Sequence, residues 1–202
     1  LRRNASTSKS HTASLACSHT GRSGSGWLKD LCEGTGRLGR PGAGFAAANR
    51  GRFGDLPLDA FVEKVVARNT RGGVFGAEIT HAHLTDTFGS MARLLDYFPA
   101  AAHGFLIRED IVLQSVSGTR KLQTRVGHST GRNALPPEET DALFAYDRKA
   151  IKAGIKLRLK AERNLEADFA RHGMCPLRLS YERNMKSPKG ALDAIARRLG
   201  EP

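Results

Sequence analysis

Two rhythms of apolar residues alternate along the chain. Short apolar runs at 13–18 (ASLACS), 74–79 (VFGAEI), 105–107 (FLI) and 175–181 (CPLRLSY) predict buried strands. Between them, apolar positions recur at helical spacing. Trp27 and Leu31 share one face of a helix that stops at Gly34 or Gly36. Phe61, Val65 and Val66 mark a helix over 57–69 with Pro57 near its start, and Phe88, Met91, Leu94 and Leu95 mark another over 85–97. Arg108-Glu109-Asp110 opens a helix to about Leu122, with Asp110 as its cap. Pro136 and Pro137 open a long helix to about Arg171, along which Ile151, Ile155, Leu165 and Phe169 hold the spacing until Gly173. A last helix covers 188–199. The glycine-dense stretch 34–54 and the polar stretch 127–135 read as loops. Strands alternating with helices predict an α/β fold, a parallel β-sheet flanked by helices.

Composition narrows the picture. With 202 residues, 40% of them hydrophobic, the chain can bury one core. The expected organisation is a disordered basic tail over 1–12 and a single domain over 13–202. No apolar stretch reaches the roughly 18–20 residues that cross a bilayer. Cys17, Cys32 and Cys175 share no metal-type spacing, so neither a zinc site nor a disulfide framework is indicated, and no metal is expected. A reducing, cytoplasmic setting is the plain reading, with association at a membrane surface left open. The first residue is Leu, so a fragment or trimmed product is expected.

The net charge of +12 calls for an anionic partner. Residues 148–163 (RKAIKAGIKLRLKAER) gather many cations on one helix. That stripe reads as a solvated face, or as a surface attracting an anionic acceptor. A nucleic-acid role is disfavoured, because no recognised motif accompanies the stripe and aromatics able to stack on bases are sparse.

Candidate chemistry begins at 19–26 (HTGRSGSG), between a strand and a helix. Small residues let the backbone turn tightly, so several N–H groups can face one anion at a helix N-terminus. Arg22, Ser23 and Ser25 add donors around Gly24 and Gly26. The loop lacks the Lys-Ser/Thr ending of an ordinary nucleotide hydrolase. Taken alone, a Ser/Gly-rich surface turn explains it as well. A second set lies beyond the FLI strand, where Arg108, Gln114 and Ser117 can grip another phosphate. The alternative is that Arg108 pairs with Asp110 while Gln114 and Ser117 face water. Two anion sites at strand ends fit a ligand carrying phosphates at both ends.

These stretches resemble the bacterial sulfotransferase family typified by trehalose 2-sulfotransferase. The matching residues are Arg22-Ser23-Gly24-Ser25-Gly26, GRPGAGF at 39–45, GVFGAE at 73–78, Arg108-Glu109-Asp110, Gln114-Ser115-Val116-Ser117 and Gln123-Thr124-Arg125. Their order and approximate spacing hold over 14–200. The resemblance implies a P-loop-kinase-like sulfotransferase fold that uses 3′-phosphoadenosine 5′-phosphosulfate (PAPS). The loop from Arg22 would hold the 5′-phosphosulfate, Arg108 and Ser117 the 3′-phosphate, and a hydroxyl on a carbohydrate or glycolipid would accept the sulfuryl group. A homodimer is an open arrangement.

The chain departs from the family pattern in the aromatic partners of the GVFGAE strand and of the Gln123-Thr124 region, and at three single positions. Gly26 stands where the family has Thr, Ala43 where it has a Glu regarded as general base, and Glu78 where it has Lys. His81 and Glu78 are the substitute candidates for the base. Three readings follow: an active PAPS-dependent sulfotransferase, a weakened relative that binds PAPS or its desulfated product, and a basic nucleic-acid-binding protein.

Overall fold

The computed structural model describes residues 13–54, 56–127 and 136–200; the tail expected over 1–12 and residues 128–135 of the polar loop lie outside the described residues. Five strands form one sheet: β1 (Ala13–His19), β2 (Thr70–Arg71), β3 (Val74–Ile79), β4 (Ala102–Ile107) and β5 (Leu177–Ser180). Their spatial order is β2-β3-β1-β4-β5. β1 runs parallel to β3 and β4, β4 parallel to β5, and only the edge strand β2 is antiparallel. The chain leaves β1 for β3 on one side and returns to β4 on the other. That reversal beside β1 opens a crevice at the strands' carboxyl ends.

Strand side chains alternate between faces, which divides the core in two. Ala16, Phe75, Ala77, Ile79 and Phe105 join one cluster with α3 (Leu58–Asn69) and α5 (Met91–Tyr97). Leu15, Cys17 and Leu106 join the other, with Leu28 and Cys32 of α1 (Ser25–Gly34) and Ile195 of α10 (Pro188–Leu199). Cys17 and Cys32 are buried free thiols, and burial pushes the Cys32 thiol up to about 12. The first cluster centres on Phe45, which is fully buried and meets the rings of Phe61, Phe75, Phe88 and Phe98. Burying one such ring stabilises the fold by about 1.5–3 kcal/mol. Here it also anchors the end of the glycine-rich strap, whose Phe45 carbonyl accepts from Thr87 Oγ1 at 2.9 Å.

Several elements differ from the sequence reading, each for a local reason. The strap contains a short helix, α2 (Ala47–Arg52). The helix expected over 85–97 is preceded by α4 (His81–His83), passes through a π turn (Leu84–Phe88), and restarts as α5. Gly89 at φ 78 ends the turn, and the Ser90 side chain accepts from Arg93 N to cap α5. After α6 (Ile111–Thr124), the long helix from 137 is two: α7 (Pro137–Ala142) and α8 (Arg148–Arg171). The amide of Gln123 grips the Ala145 backbone at both its carbonyl (3.1 Å) and its N–H (3.0 Å), and Asp147 caps α8 through Ala150 N. Side chain-to-backbone bonds of this kind compete with helix continuation. Ser180 likewise caps an extra short helix, α9 (Tyr181–Lys186), directly after β5.

Candidate functional site

β1 ends at His19 and the chain turns through Thr20–Gly24 into α1. The turn needs left-handed backbone at Arg22 (φ 72) and Gly24 (φ 88). For Arg22 that conformation costs about 1–2 kcal/mol, so its surroundings must hold it. They do. Gln114 of α6 donates through Nε2 to Thr20 Oγ1 and to the Gly21 carbonyl, both at 3.0 Å. Arg22 donates through Nε to Ser117 Oγ at 2.9 Å and through Nη1 to the Gly127 carbonyl. Arg108 donates to the Arg22 carbonyl at 3.4 Å, while its guanidinium lies 4.7 Å from the centre of the Tyr181 ring. Gly24 packs so closely on that ring that a Cβ there would sit 2.3 Å from Tyr181 Cδ2.

A third guanidinium reaches the same turn from α8. Arg158 donates to the Gly21 carbonyl at 3.4 Å. It passes between helices at two glycines: a Cβ at Gly118 would meet Arg158 Nη2 at 2.0 Å, and one at Gly154 would meet Nη1 at 2.9 Å. Burial and then Arg108 pull the Arg22 pKa down; burial and then Arg22 do the same to Arg158. Crowded cations repel one another, and an anion between them offsets both that repulsion and the loss of water around the guanidiniums. α1 starts here without a side-chain cap, so its first-turn N–H groups face the turn. Ser23 is fully buried, and its Oγ has no hydrogen-bond partner. The turn has the donors and the charge to cradle a multiply charged anion.

Next to it, at the end of β3, lies a carboxylate. Glu78 Oε2 is 3.5 Å from His19 Nε2, and both side chains are buried. His19 Nδ1 contacts the Thr20 carbonyl at 3.0 Å, which can only accept, so Nδ1 carries a proton and Nε2 faces the carboxylate. His83 stands behind, its Nδ1 3.1 Å from the Glu78 carbonyl, and burial holds its pKa below the ordinary imidazole value. Glu162 of α8 accepts from Thr20 Oγ1 at 3.4 Å, and burial raises its pKa.

Arg22, Ser23, Gly24, Ser25, Arg108, Gln114 and Ser117 thus surround one turn, with Gly26 in the first turn of α1. Glu78 adjoins it through His19. His81 instead has its Nε2 3.3 Å from the Asn164 amide of α8. The sequence reading missed His19 and Arg158. His19 directly precedes the glycine loop, a signal that only strand register makes meaningful. Arg158 was one cation among many, distinguished only by the two glycines facing it.

Among the described residues no group of three or more His, Cys, Asp or Glu is placed to hold a metal, and no helix is long and apolar enough to cross a membrane. A comparison with protein families matches residues 14–202 to the family described as Stf0 sulphotransferase. No curated protein matches the chain.

Proposed function

The chain belongs to the Stf0 sulphotransferase family, and on that premise we propose that it takes PAPS as donor and sulfates a hydroxyl of a carbohydrate or glycolipid. One observation carries the reading: Arg22, Arg108 and Arg158 converge on a turn whose buried Ser23 Oγ is unpartnered. The Arg22–Gly26 loop binds the 5′-phosphosulfate. Arg108 and Ser117 serve the 3′-phosphate end, while Gln114, buried with its amide hydrogens on Thr20 and Gly21, holds the loop in shape.

Sulfuryl transfer asks for alignment, charge neutralisation on the departing phosphate, and removal of one proton. Glu78 takes the acceptor's hydroxyl proton, and His19 Nε2, 3.5 Å from Glu78 Oε2, is placed to share that proton once the carboxylate has gained it. The new acceptor O–S bond forms as the S–O bond to the donor phosphate breaks, and 3′,5′-adenosine bisphosphate leaves with the negative charge that the arginines hold. His81, engaged with Asn164, is the weaker choice for the base.

Calorimetry with 3′,5′-adenosine bisphosphate tests the donor site. Micromolar binding is expected. Arg22→Ala removes a half-buried charge-assisted donor worth about 1.5–3 kcal/mol, so affinity falls roughly 10- to 100-fold. No heat with the unaltered protein would refute the site.

A second reading, nucleotide binding without turnover, is favoured by Ala43, which brings no proton acceptor to the strap. Transfer of labelled sulfate from PAPS onto glycolipid extracts separates the two.

A further inference from the structure

A cavity of ≈190 Å³ opens between the glycine-rich strap, α1, α2 and α3. Its walls include Lys29, Arg40 and Arg68, and among the described residues no carboxylate lines it. Residues 34–54, which form most of the strap, hold four arginines and no acid.

The nearest acids do not cancel this charge. Lys29 Nζ is 2.8 Å from Asp30, whose side chain is 65% exposed, so the pair is screened by water. Glu33 is shared between Arg40 at 3.0 Å and Arg71 at 3.7 Å, one carboxylate for two guanidiniums. Meanwhile the cavity's amides are occupied with neighbouring backbone: Asn49 Nδ2 donates to the Ala43 carbonyl of the strap at 2.6 Å, and Asn69 Nδ2 to the Gly76 carbonyl of β3 at 3.1 Å. The groups left to recognise a ligand are cationic.

Position links this cavity to the proposed chemistry. Gly42, in its wall, pairs with Ala77 of β3, and its carbonyl accepts from the Glu78 N–H at 2.9 Å. The volume falls below the roughly 300 Å³ at which pockets for drug-sized ligands begin, which suits one charged group or sugar unit.

We infer that this cavity binds an anionic group, a phosphate, sulfate or carboxylate, carried by the acceptor, so that the enzyme selects charged over neutral sugars. The inference deepens the sulfotransferase reading and rests on it.

Calorimetry tests it on protein saturated with 3′,5′-adenosine bisphosphate, which blocks the donor cradle. Glucose 6-phosphate, glucuronate and uncharged glucose are titrated in turn. Vesicles of phosphatidylcholine with and without phosphatidylinositol form a further arm, distinguishing a lipid-borne anion from a free one. At least one charged probe is expected to bind tenfold or more tightly than its neutral counterpart. The double variant Lys29→Gln/Arg68→Gln, checked for folding by circular dichroism, should lose that preference while keeping its nucleotide affinity. Equal affinity for charged and neutral probes, or a preference unchanged in the double variant, overturns the inference. If the nucleotide itself fails to bind, the donor reading falls; if the nucleotide binds and no charged probe does, only the cavity assignment falls.

Discussion

The cradle at the end of β1 and the cavity under the strap are both cationic, but they are built differently. In the cradle each guanidinium is fixed by a hydrogen bond to an oxygen of the turn or of a helix flanking it: Arg22 on Ser117, Arg108 on the Arg22 carbonyl, Arg158 on the Gly21 carbonyl. Arg108 also faces Glu182 at 3.8 Å, whereas under the strap Lys29 and Arg40 lean on an exposed or a shared carboxylate. The cradle has geometry as well as charge, which suits one invariant donor. The cavity has charge with little fixed geometry, which suits a choice by sign rather than by shape.

The sharpest break between the two regions should come at Glu78, whose N–H donates to Gly42 of the cavity wall and whose carboxylate faces His19 beside the cradle. Glu78→Gln keeps size and removes the proton acceptor, so sulfate transfer is expected to fall by about 10²–10⁴ while nucleotide affinity stays within twofold. Turnover at the original rate in a radiolabel assay would remove Glu78 from the mechanism.

A smaller effect separates two glycines of the cradle. Gly24→Ala meets left-handed backbone and the Tyr181 ring together, whereas a Cβ at Gly21 meets nothing within 4 Å. At about 1–2 kcal/mol for the backbone alone, and about 2–4 °C per kcal/mol for a chain of this size, Gly24→Ala should lower Tm by roughly 2–8 °C. Gly21→Ala should leave it nearly unchanged. Equal melting of the two variants would mean that the turn is not held as described.

The smallest expected effect is on pH dependence. His83, behind Glu78, has a folded-state pKa held below its ordinary 6.5 by burial. A depressed imidazole contributes stability that is present above that value and lost as pH falls below it. Melting curves from pH 7.5 to 5 should therefore show a decline that His83→Gln flattens. An identical decline in the variant would place the acid sensitivity elsewhere, with His103, also depressed by burial, the next group to alter.

Much of this was readable from local pattern. β1, β3 and the helix over 188–199 follow apolar runs and spacing that no distant contact overrides, and Asp110 caps α6 through Leu113 N at 2.8 Å as its position suggested. Arg22, Ser23, Arg108, Gln114 and Ser117 were legible as candidates because a glycine loop and a strand-end Arg each announce themselves, but the two groups expected as separate anion sites meet at one turn, Arg22 on Ser117 at 2.9 Å. The split between α7 and α8 was not, because the grip of Gln123 on Ala145 spans 22 residues of sequence. The partnership of His19 with Glu78 was hidden for the same reason. It exists only once two strands far apart in the chain lie side by side.

That pairing turns the sheet into a ruler. Ser18 sits level with Ile79 and Cys17 with Glu78, so His19 is two rungs beyond its carboxylate partner and on the same face. Slipping β3 by a single residue would turn the Glu78 side chain toward the opposite layer and leave the imidazole facing apolar neighbours. A one-residue insertion within β3 ahead of Glu78 should thus abolish sulfate transfer in a radiolabel assay, whereas one in the turn at Gly72 and Gly73, outside the β1–β3 ladder, should leave this pairing in place.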